Sequence, residues 1–191
     1  AIYVWLLSMF GIAVAPVSSI KSGELVVTQL DVGQGSALLI STHKQHWLYD
    51  TGARFSEHYD AAKAVVLPYL SSQSIRKLDA LVVSHGDSDH SGGVERILDE
   101  LAVDELIVGG KYKPDARRIS ANRITVSACE AGYQKQFESF VFKFLHPVHA
   151  NSFNHSENDA SCVLQVLPGN EFAVDKKAEY DNRDALLLVP G

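Results

Sequence analysis

Between Ser84 and Gly93 the chain reads Ser-His-Gly-Asp-Ser-Asp-His-Ser-Gly-Gly, which places His85, Asp87, Asp89 and His90 within six positions. Imidazole nitrogens and carboxylate oxygens are the ligands that proteins offer to divalent ions of the Zn or Mn type. The run follows directly on an apolar, strand-like stretch at residues 78–83. At a strand end alternate residues point to one side, so His85, Asp87 and Asp89 are expected to converge on one pocket. His90 joins them as the chain turns. Gly92 and Gly93 then allow a tight bend into a helix over residues 94–98. A solvated acidic turn could contain the same residue types, though seldom at this density.

Short elements must position this loop. Residues 25–32 and 36–40 read as strands around a Gly33-Gln34-Gly35 turn, and His46-Trp47-Leu48-Tyr49 as a third strand ending at Asp50-Thr51-Gly52. Residues 60–70 read as a helix with Ala61, Ala64, Val65 and Leu67 on its apolar face, ended by Pro68. Further strands are expected at 106–109, 124–126, 140–145, 161–166 and 185–189. Many short strands with few helices predict an α/β protein layered around sheets.

A chain of 191 residues, 46% apolar and 21% charged, is long enough for one domain with a sizeable core. A formal net charge of −6 gives no global attraction to nucleic acid, so a phosphate-bearing substrate needs local cations or a metal. Cys129 and Cys162 are too few for a disulfide scaffold and lack zinc-ribbon spacing. They are expected as two buried thiols, with one disulfide as the alternative in an oxidising compartment.

Residues 1–20 carry no charge and are nearly all apolar as far as Val14. They lack the basic start of a secretory signal, and their length fits the end of a transmembrane span. A buried packing segment is the alternative. Pro16 breaks any helix, and residues 18–23 read as a linker. The expected organisation is therefore a hydrophobic segment at 1–20 and a domain at 21–191.

The loop His85-Gly86-Asp87-Ser88-Asp89-His90 resembles that of the metallo-β-lactamase superfamily, His-x-His-x-Asp-His. Leu48-Tyr49-Asp50-Thr51-Gly52 is similar to the superfamily's Asp-x-Gly segment. Asp31-Val32-Gly33-Gln34-Gly35 is similar to the signature of a narrower branch, the soluble domain of bacterial DNA-internalisation competence proteins of the ComEC type. Members of that branch also carry Asp at the position of Asp87. The resemblance spans roughly residues 24–191. It implies a four-layer αββα sandwich, incomplete here at its C-terminus, with a two-metal site at one edge.

On that resemblance one ion would bind near His85 and Asp87 and the other near Asp89 and His90. Asp89 and Asp50 carry the catalytic role, Asp50 by orienting a ligand or bound water, with a purely structural turn carboxylate as the alternative for Asp50. The oxygen-rich set favours Mn²⁺ or Mg²⁺ more than a nitrogen-rich one would, with Zn²⁺ also admitted. The implied activity is a DNA phosphodiesterase acting on single-stranded DNA, partnered by the membrane-channel portion of the same protein. The implied location is the bacterial inner membrane, with the domain on its outer side and residues 1–20 in the membrane.

The chain also departs from the pattern. The superfamily's Gly-Asp is missing; Leu167-Pro168-Gly169-Asn170 reads instead as a hairpin turn before a strand at 172–174. No His-His-Gly follows the strand at 185–189, which suggests a fragment of a larger membrane protein. Asn158 and Asp159 are either near the metals or ordinary turn residues. His43, His46, His58, His146 and His149 are expected to lack a metal role. Lys111, Lys113, Arg117, Arg118 and Arg123, interleaved with Tyr112, form either a phosphate-contacting stretch or a solvated loop. Two other functions stay open: a non-catalytic DNA-binding or assembly domain with a degenerate site, and a different hydrolase of the same superfamily.

Overall fold

A computed structural model describes residues 20–148, 156, 158–169 and 187–191. In chain order the elements are β1 (Val26–Gln29), β2 (Leu38–Ser41), β3 (His46–Tyr49), a π-helical turn (Ala62–Val66) continuing as α1 (Leu67–Ser72), β4 (Lys77–Leu78) and β5 (Ala80–Val83). Next come α2 (Ser88–Ser91), α3 (Val94–Glu100), β6 (Ala102–Val103), β7 (Glu105–Val108), α4 (Ala116–Asn122) and β8 (Thr125–Ala128). The last are β9 (Gln134–Phe137), β10 (Phe140–His146), a 3-10 turn (Asn158–Ala160), β11 (Val163–Pro168) and β12 (Leu187–Pro190).

Two sheets form. The first has order β1-β2-β3-β5-β7-β8, antiparallel from β1 to β3 and parallel from β3 to β8. The second, β12-β11-β10-β9, is antiparallel. Strand periodicity sorts the first sheet's side chains cleanly. Leu39, Leu48, Leu81 and Val83 face the helices, where Val66, Leu70, Val94 and Ile97 meet them. Ile40, Trp47, Tyr49, Ala80 and Val82 face the second sheet and pack on Phe140, Phe142, Phe144, Leu164 and Val166. Trp47 lies 4.4 Å from Phe142, ring centre to ring centre. A strand buried on both faces has no polar alternation, which is why 80–83 reads as a continuous apolar run. Truncating a fully buried aromatic such as Phe142 to alanine costs roughly 3–5 kcal/mol.

These are the helix, sheet and sheet layers of the expected sandwich. Among the described residues there is no second outer helical layer; all but Ile20 of the hydrophobic segment expected at 1–20, and the strand expected at 172–174, lie outside them. Among the described residues no helix is long and apolar enough to cross a membrane.

Three local expectations change. Pro68 does not end its helix: the π-helical turn at Ala62–Val66 directly precedes it, an irregularity that accommodates the missing N–H, and the helix continues through Pro68 to Ser72. The basic segment after Gly110 contains α4, whose N-cap Asp115 accepts a hydrogen bond from the backbone N–H of Arg117. The cysteines, expected as separate thiols, are paired. Cys129 follows β8 and Cys162 precedes β11, so the disulfide fastens one sheet to the other across a Cα–Cα distance of 6.0 Å.

Candidate metal centre

Parallel pairing of β3 with β5 brings both strands to the same edge of the sheet, with Tyr49 opposite Val82. Loops at the carboxyl ends of parallel strands are where α/β folds place their sites. Asp50, the first residue past β3, adopts φ 60° and donates its N–H to Val82 O at 2.8 Å. Aspartate tolerates that left-handed conformation better than most residues. The turn drives its carboxylate under the 84–90 loop, where it is fully buried.

There Asp50 accepts three hydrogen bonds. Oδ1 takes the Ser84 N–H at 2.7 Å, and Oδ2 takes the Ser84 hydroxyl at 2.8 Å and His90 Nδ1 at 2.7 Å. The Ser84 hydroxyl, having given its proton to Asp50, accepts from His85 Nδ1 at 2.9 Å. This network assigns the proton of both imidazoles to Nδ1 and leaves both Nε2 lone pairs free. The hydrogen bond to Asp50 raises His90 above the ordinary histidine range; burial opposes it, and the charges of Asp50, Asp89 and Asp87 reinforce it.

His85 Nε2 faces Asp87 Oδ2 at 3.5 Å, and His90 Nε2 faces Asp89 Oδ2 at 3.9 Å. The two rings lie 4.2 Å apart, centre to centre. The His85 side chain is 3% exposed and that of Asp87 48%. A buried His85 and a partly buried His90 thus stand behind more exposed carboxylates. Two ligands at tetrahedral angles on one ion, each ~2.0–2.2 Å from it, are themselves ~3.3–3.6 Å apart. The His85–Asp87 spacing fits that figure, and the His90–Asp89 spacing is slightly wider. In both type and spacing, these residues fit a divalent metal. Among the described residues no three His, Cys, Asp or Glu side chains form a single group that could hold an ion. What exists is two imidazole-carboxylate pairs.

The single convergent row expected from strand alternation is therefore replaced by two pairs. The strand ends at Val83, so only His85 and Asp87 follow the expected spacing. Asp89 and His90 arrive on the one-turn helix α2. Thr51 fixes that turn, giving its N–H and its hydroxyl to His90 O at 2.9 and 3.0 Å.

The glycines act through space rather than flexibility at Gly92. Its φ of −59° is open to any residue, but a Cβ there would lie 2.3 Å from the Arg54 nitrogen. Gly35 needs both, with φ +93° and a Cβ position 1.7 Å from Asp89 O. The Gly33-Gln34-Gly35 turn therefore serves as the seat on which the Asp89 backbone rests, with Ser36 N–H donating to Asp89 O at 3.3 Å.

Ser84, Thr51 and Gly35 carry the site's geometry without being ligands; Gly35 and Thr51 lie within the motifs, but nothing in the sequence assigns either a role, and Ser84 is flagged only by its nearness to the loop. Asp31 is exposed and accepts only the Gly33 N–H at 3.4 Å among its recorded bonds. Asp159, in the 3-10 turn, exchanges hydrogen bonds with Ser156, as in one of the two roles open to it. That turn still borders the site, because Cys162 N–H donates to Ser84 O at 2.9 Å. Tyr49 OH donates to Cys162 O at 2.7 Å, and burial, aided by Asp50, keeps that phenol protonated.

Three other histidines have structural partners: His146 Nδ1 donates to Ser161 O and His46 Nδ1 meets the Ser41 hydroxyl, both at 2.9 Å, and His43 Nδ1 donates to Ile20 O at 2.7 Å; His149 lies outside the described residues. Much of the basic segment is neutralised. Arg118 pairs with Asp99 at 2.8 Å and Asp115 at 3.1 Å. Tyr112 packs against the helix-side core, and burial pushes its phenol up to about 12.

The metallo-β-lactamase superfamily profile matches residues 30–123, the segment that builds Asp50 and the 84–93 loop. The chain belongs to the metallo-β-lactamase superfamily. Within it, this domain falls with the ComEC-type competence proteins. It is 34% identical over 151 residues to competence protein ComA of Neisseria gonorrhoeae, covering 79% of the chain and 19% of that protein. It is 35% identical over 166 residues to recombination protein 2 of Haemophilus influenzae, covering 86% of the chain and 20% of that protein. The chain thus spans about a fifth of the length of these curated relatives. A subclass B3 metallo-β-lactamase from a soil metagenome, MEM-A1, has the same fold, with TM-score 0.52 and 14% identity over 81% of the chain and 58% of its own. The superfamily generally binds divalent metals.

Proposed function

We propose that this metallo-β-lactamase domain is a metal-dependent phosphodiesterase that cuts single-stranded DNA as it is taken up through a membrane channel. One observation carries the reading: Asp50 and Ser84 hold both imidazoles by Nδ1, so that their free Nε2 atoms face Asp87 and Asp89 at an open sheet edge. His85 with Asp87, and His90 with Asp89, would hold the ions. Divalent metal bound there supplies a Lewis acid for a phosphoryl oxygen and a water of lowered pKa. Asp89 is the carboxylate at the mouth on which the reaction depends, and Asp50 acts from beneath by fixing the tautomer of His90. The oxygen-rich donor set favours Mn²⁺, with Zn²⁺ and Mg²⁺ as the other candidates.

The relatives named for competence and recombination support DNA as the substrate and uptake as the setting. The partner is then a channel portion of the same protein in the inner membrane, with this domain on the outer side. Incubating the protein with labelled single-stranded DNA and Mn²⁺ tests the reading. Cleavage that disappears in Asp89→Ala is expected; no cleavage, or equal cleavage by the variant, overturns it. The two-pair arrangement also favours a second reading, a DNA-binding or assembly domain without chemistry. Bound metal near zero after Mn²⁺ loading would support that reading instead.

A further inference from the structure

Beside the metal-ligand loop stands an aromatic pair that the proposed chemistry leaves unused. Phe55 and Tyr59 are 51% and 53% exposed, with ring centres 5.6 Å apart and planes inclined at 35°. The two rings adjoin one another and so form a contiguous aromatic patch at the site's edge, which is informative where a single scattered apolar side chain is not. Their loop is held firmly. The N–H groups of Phe55 and Ser56 both donate to Tyr59 O, at 3.0 and 2.9 Å, and Ala61 N–H donates to Ala53 O at 2.8 Å. Asp60 anchors the base by accepting from Lys63 N–H at 2.8 Å and Arg96 Nε at 2.7 Å.

The same loop is joined to the candidate metal centre. Its root residue Thr51 holds His90 O, and Arg54 Nε donates to Gly92 O at 3.2 Å. The rings therefore ride on a loop that is hydrogen-bonded to the segment carrying Asp89 and His90. Arg54, next to Phe55 in the chain, is half-exposed and pairs with Glu95 at 3.3 Å, and a guanidinium of this exposure can also meet a phosphate.

We infer that Phe55 and Tyr59 form a stacking platform for the bases of a single-stranded nucleic acid whose backbone passes the metal centre. This rests on the reading of the domain as acting on DNA. Unpaired bases have free faces to lay on an aromatic ring, whereas those of a duplex are already stacked on one another. Stacking of this kind is tolerant of sequence, which suits a protein that processes whatever strand arrives. The platform supplies grip and register; the metal ligands supply the chemistry.

Fluorescence anisotropy of a labelled twelve-residue oligo(dT) on the full chain in EDTA tests this, because no cleavage occurs without metal. Phe55→Ala and Tyr59→Ala should each weaken binding by roughly 5- to 100-fold. Tyr59→Phe should retain affinity. An abasic oligomer of equal length and charge should bind weakly and equally to all variants. Unchanged oligo(dT) affinity in both alanine variants overturns the inference, as does an equal loss on the abasic strand. Loss of sedimentation with phosphatidylglycerol vesicles but not of DNA binding would assign the rings to a lipid surface and also overturn it. If the wild type cuts DNA with Mn²⁺ while the ring variants bind normally, only the platform fails. If the wild type neither cuts nor binds, both readings fall.

Discussion

Asp50→Asn changes one atom at the centre of the candidate site and should separate metal affinity from fold. The carboxylate accepts three hydrogen bonds at 2.7, 2.8 and 2.7 Å, from Ser84 N, Ser84 Oγ and His90 Nδ1. An amide offers one oxygen and one NH₂ group. If its nitrogen replaced Oδ1 it would confront the Ser84 N–H, donor against donor. The tolerable orientation puts the NH₂ at Oδ2, where Ser84 Oγ can reverse to accept. His90 Nδ1 must then accept too, which moves its proton to Nε2, the atom facing Asp89. The lone pair needed for a metal is lost unless the ring breaks that hydrogen bond.

Each hydrogen bond to a charged group is worth about 1.5–3 kcal/mol net, and the variant keeps weaker neutral versions of most of them. The expected cost is therefore on the order of 1–3 kcal/mol, a fall in Tm of roughly 2–12 °C at this chain length. Loss of a residue that orients a metal ligand lowers affinity about 10- to 100-fold. Calorimetric titration with Mn²⁺ and Zn²⁺, with thermal unfolding in EDTA, reads both quantities. Nitrogen chemical shifts of His90 read the tautomer directly. Asp31→Asn, at an exposed carboxylate holding one long bond, is the control and should change neither. Wild-type metal affinity in Asp50→Asn, with His90 still protonated on Nδ1, would refute the tautomer argument.

Gly35→Ala should destabilise by roughly 2–4 kcal/mol, because the methyl has no room beside Asp89 O and φ is positive, whereas Gly33→Ala, with open space around it, should cost only about 1 kcal/mol. Differential scanning calorimetry of the two variants checks this, and equal Tm values would disprove it. Reducing the Cys129–Cys162 disulfide, which closes a separation of 33 residues, should cost about 3–4 kcal/mol and lower Tm by roughly 6–16 °C; the Cys129→Ser, Cys162→Ser double variant should melt like the reduced protein. Burial would raise Glu105, but hydrogen bonds from Lys135, Ser127 and Tyr133 outweigh it and hold the carboxyl below its ordinary 4.5. A depressed folded-state value gives stability that is present above 4.5 and lost as pH falls through the folded value, so the Tm advantage of wild type over Glu105→Gln should vanish on acidification below that range.

What the sequence made legible follows from which physics is local. The apolar run at 80–83 and the density of ligands after it are local patterns, and both reappear as β5 and the loop at its carboxyl end. That strands and helices pack in layers was readable from many short apolar runs with few helices, but the order of the layers came from the resemblance, because strands buried on both faces show no alternation to read. Helix α4 escaped because its residues are mostly polar; its helical signal is the cap at Asp115, not an apolar face. The cysteine pair escaped because 33 residues of separation carry no information about which strands lie side by side.

Ser84 shows most clearly where reading along the chain stops. In sequence it is a small polar residue before a histidine, with nothing to distinguish it from any loop serine. In the fold, its N–H and hydroxyl both engage Asp50, thirty-four residues away, and its oxygen also receives His85 Nδ1. Its carbonyl accepts the N–H of Cys162 from the second sheet. One residue thus couples the parallel sheet, the buried carboxylate, a candidate metal ligand and the opposite layer. The two histidines are recognisable as ligands because their chemistry is in the side chain. The residue that sets which of their nitrogens is free has its role only through the pairing of β3 with β5, and that pairing is a property of the folded sheet.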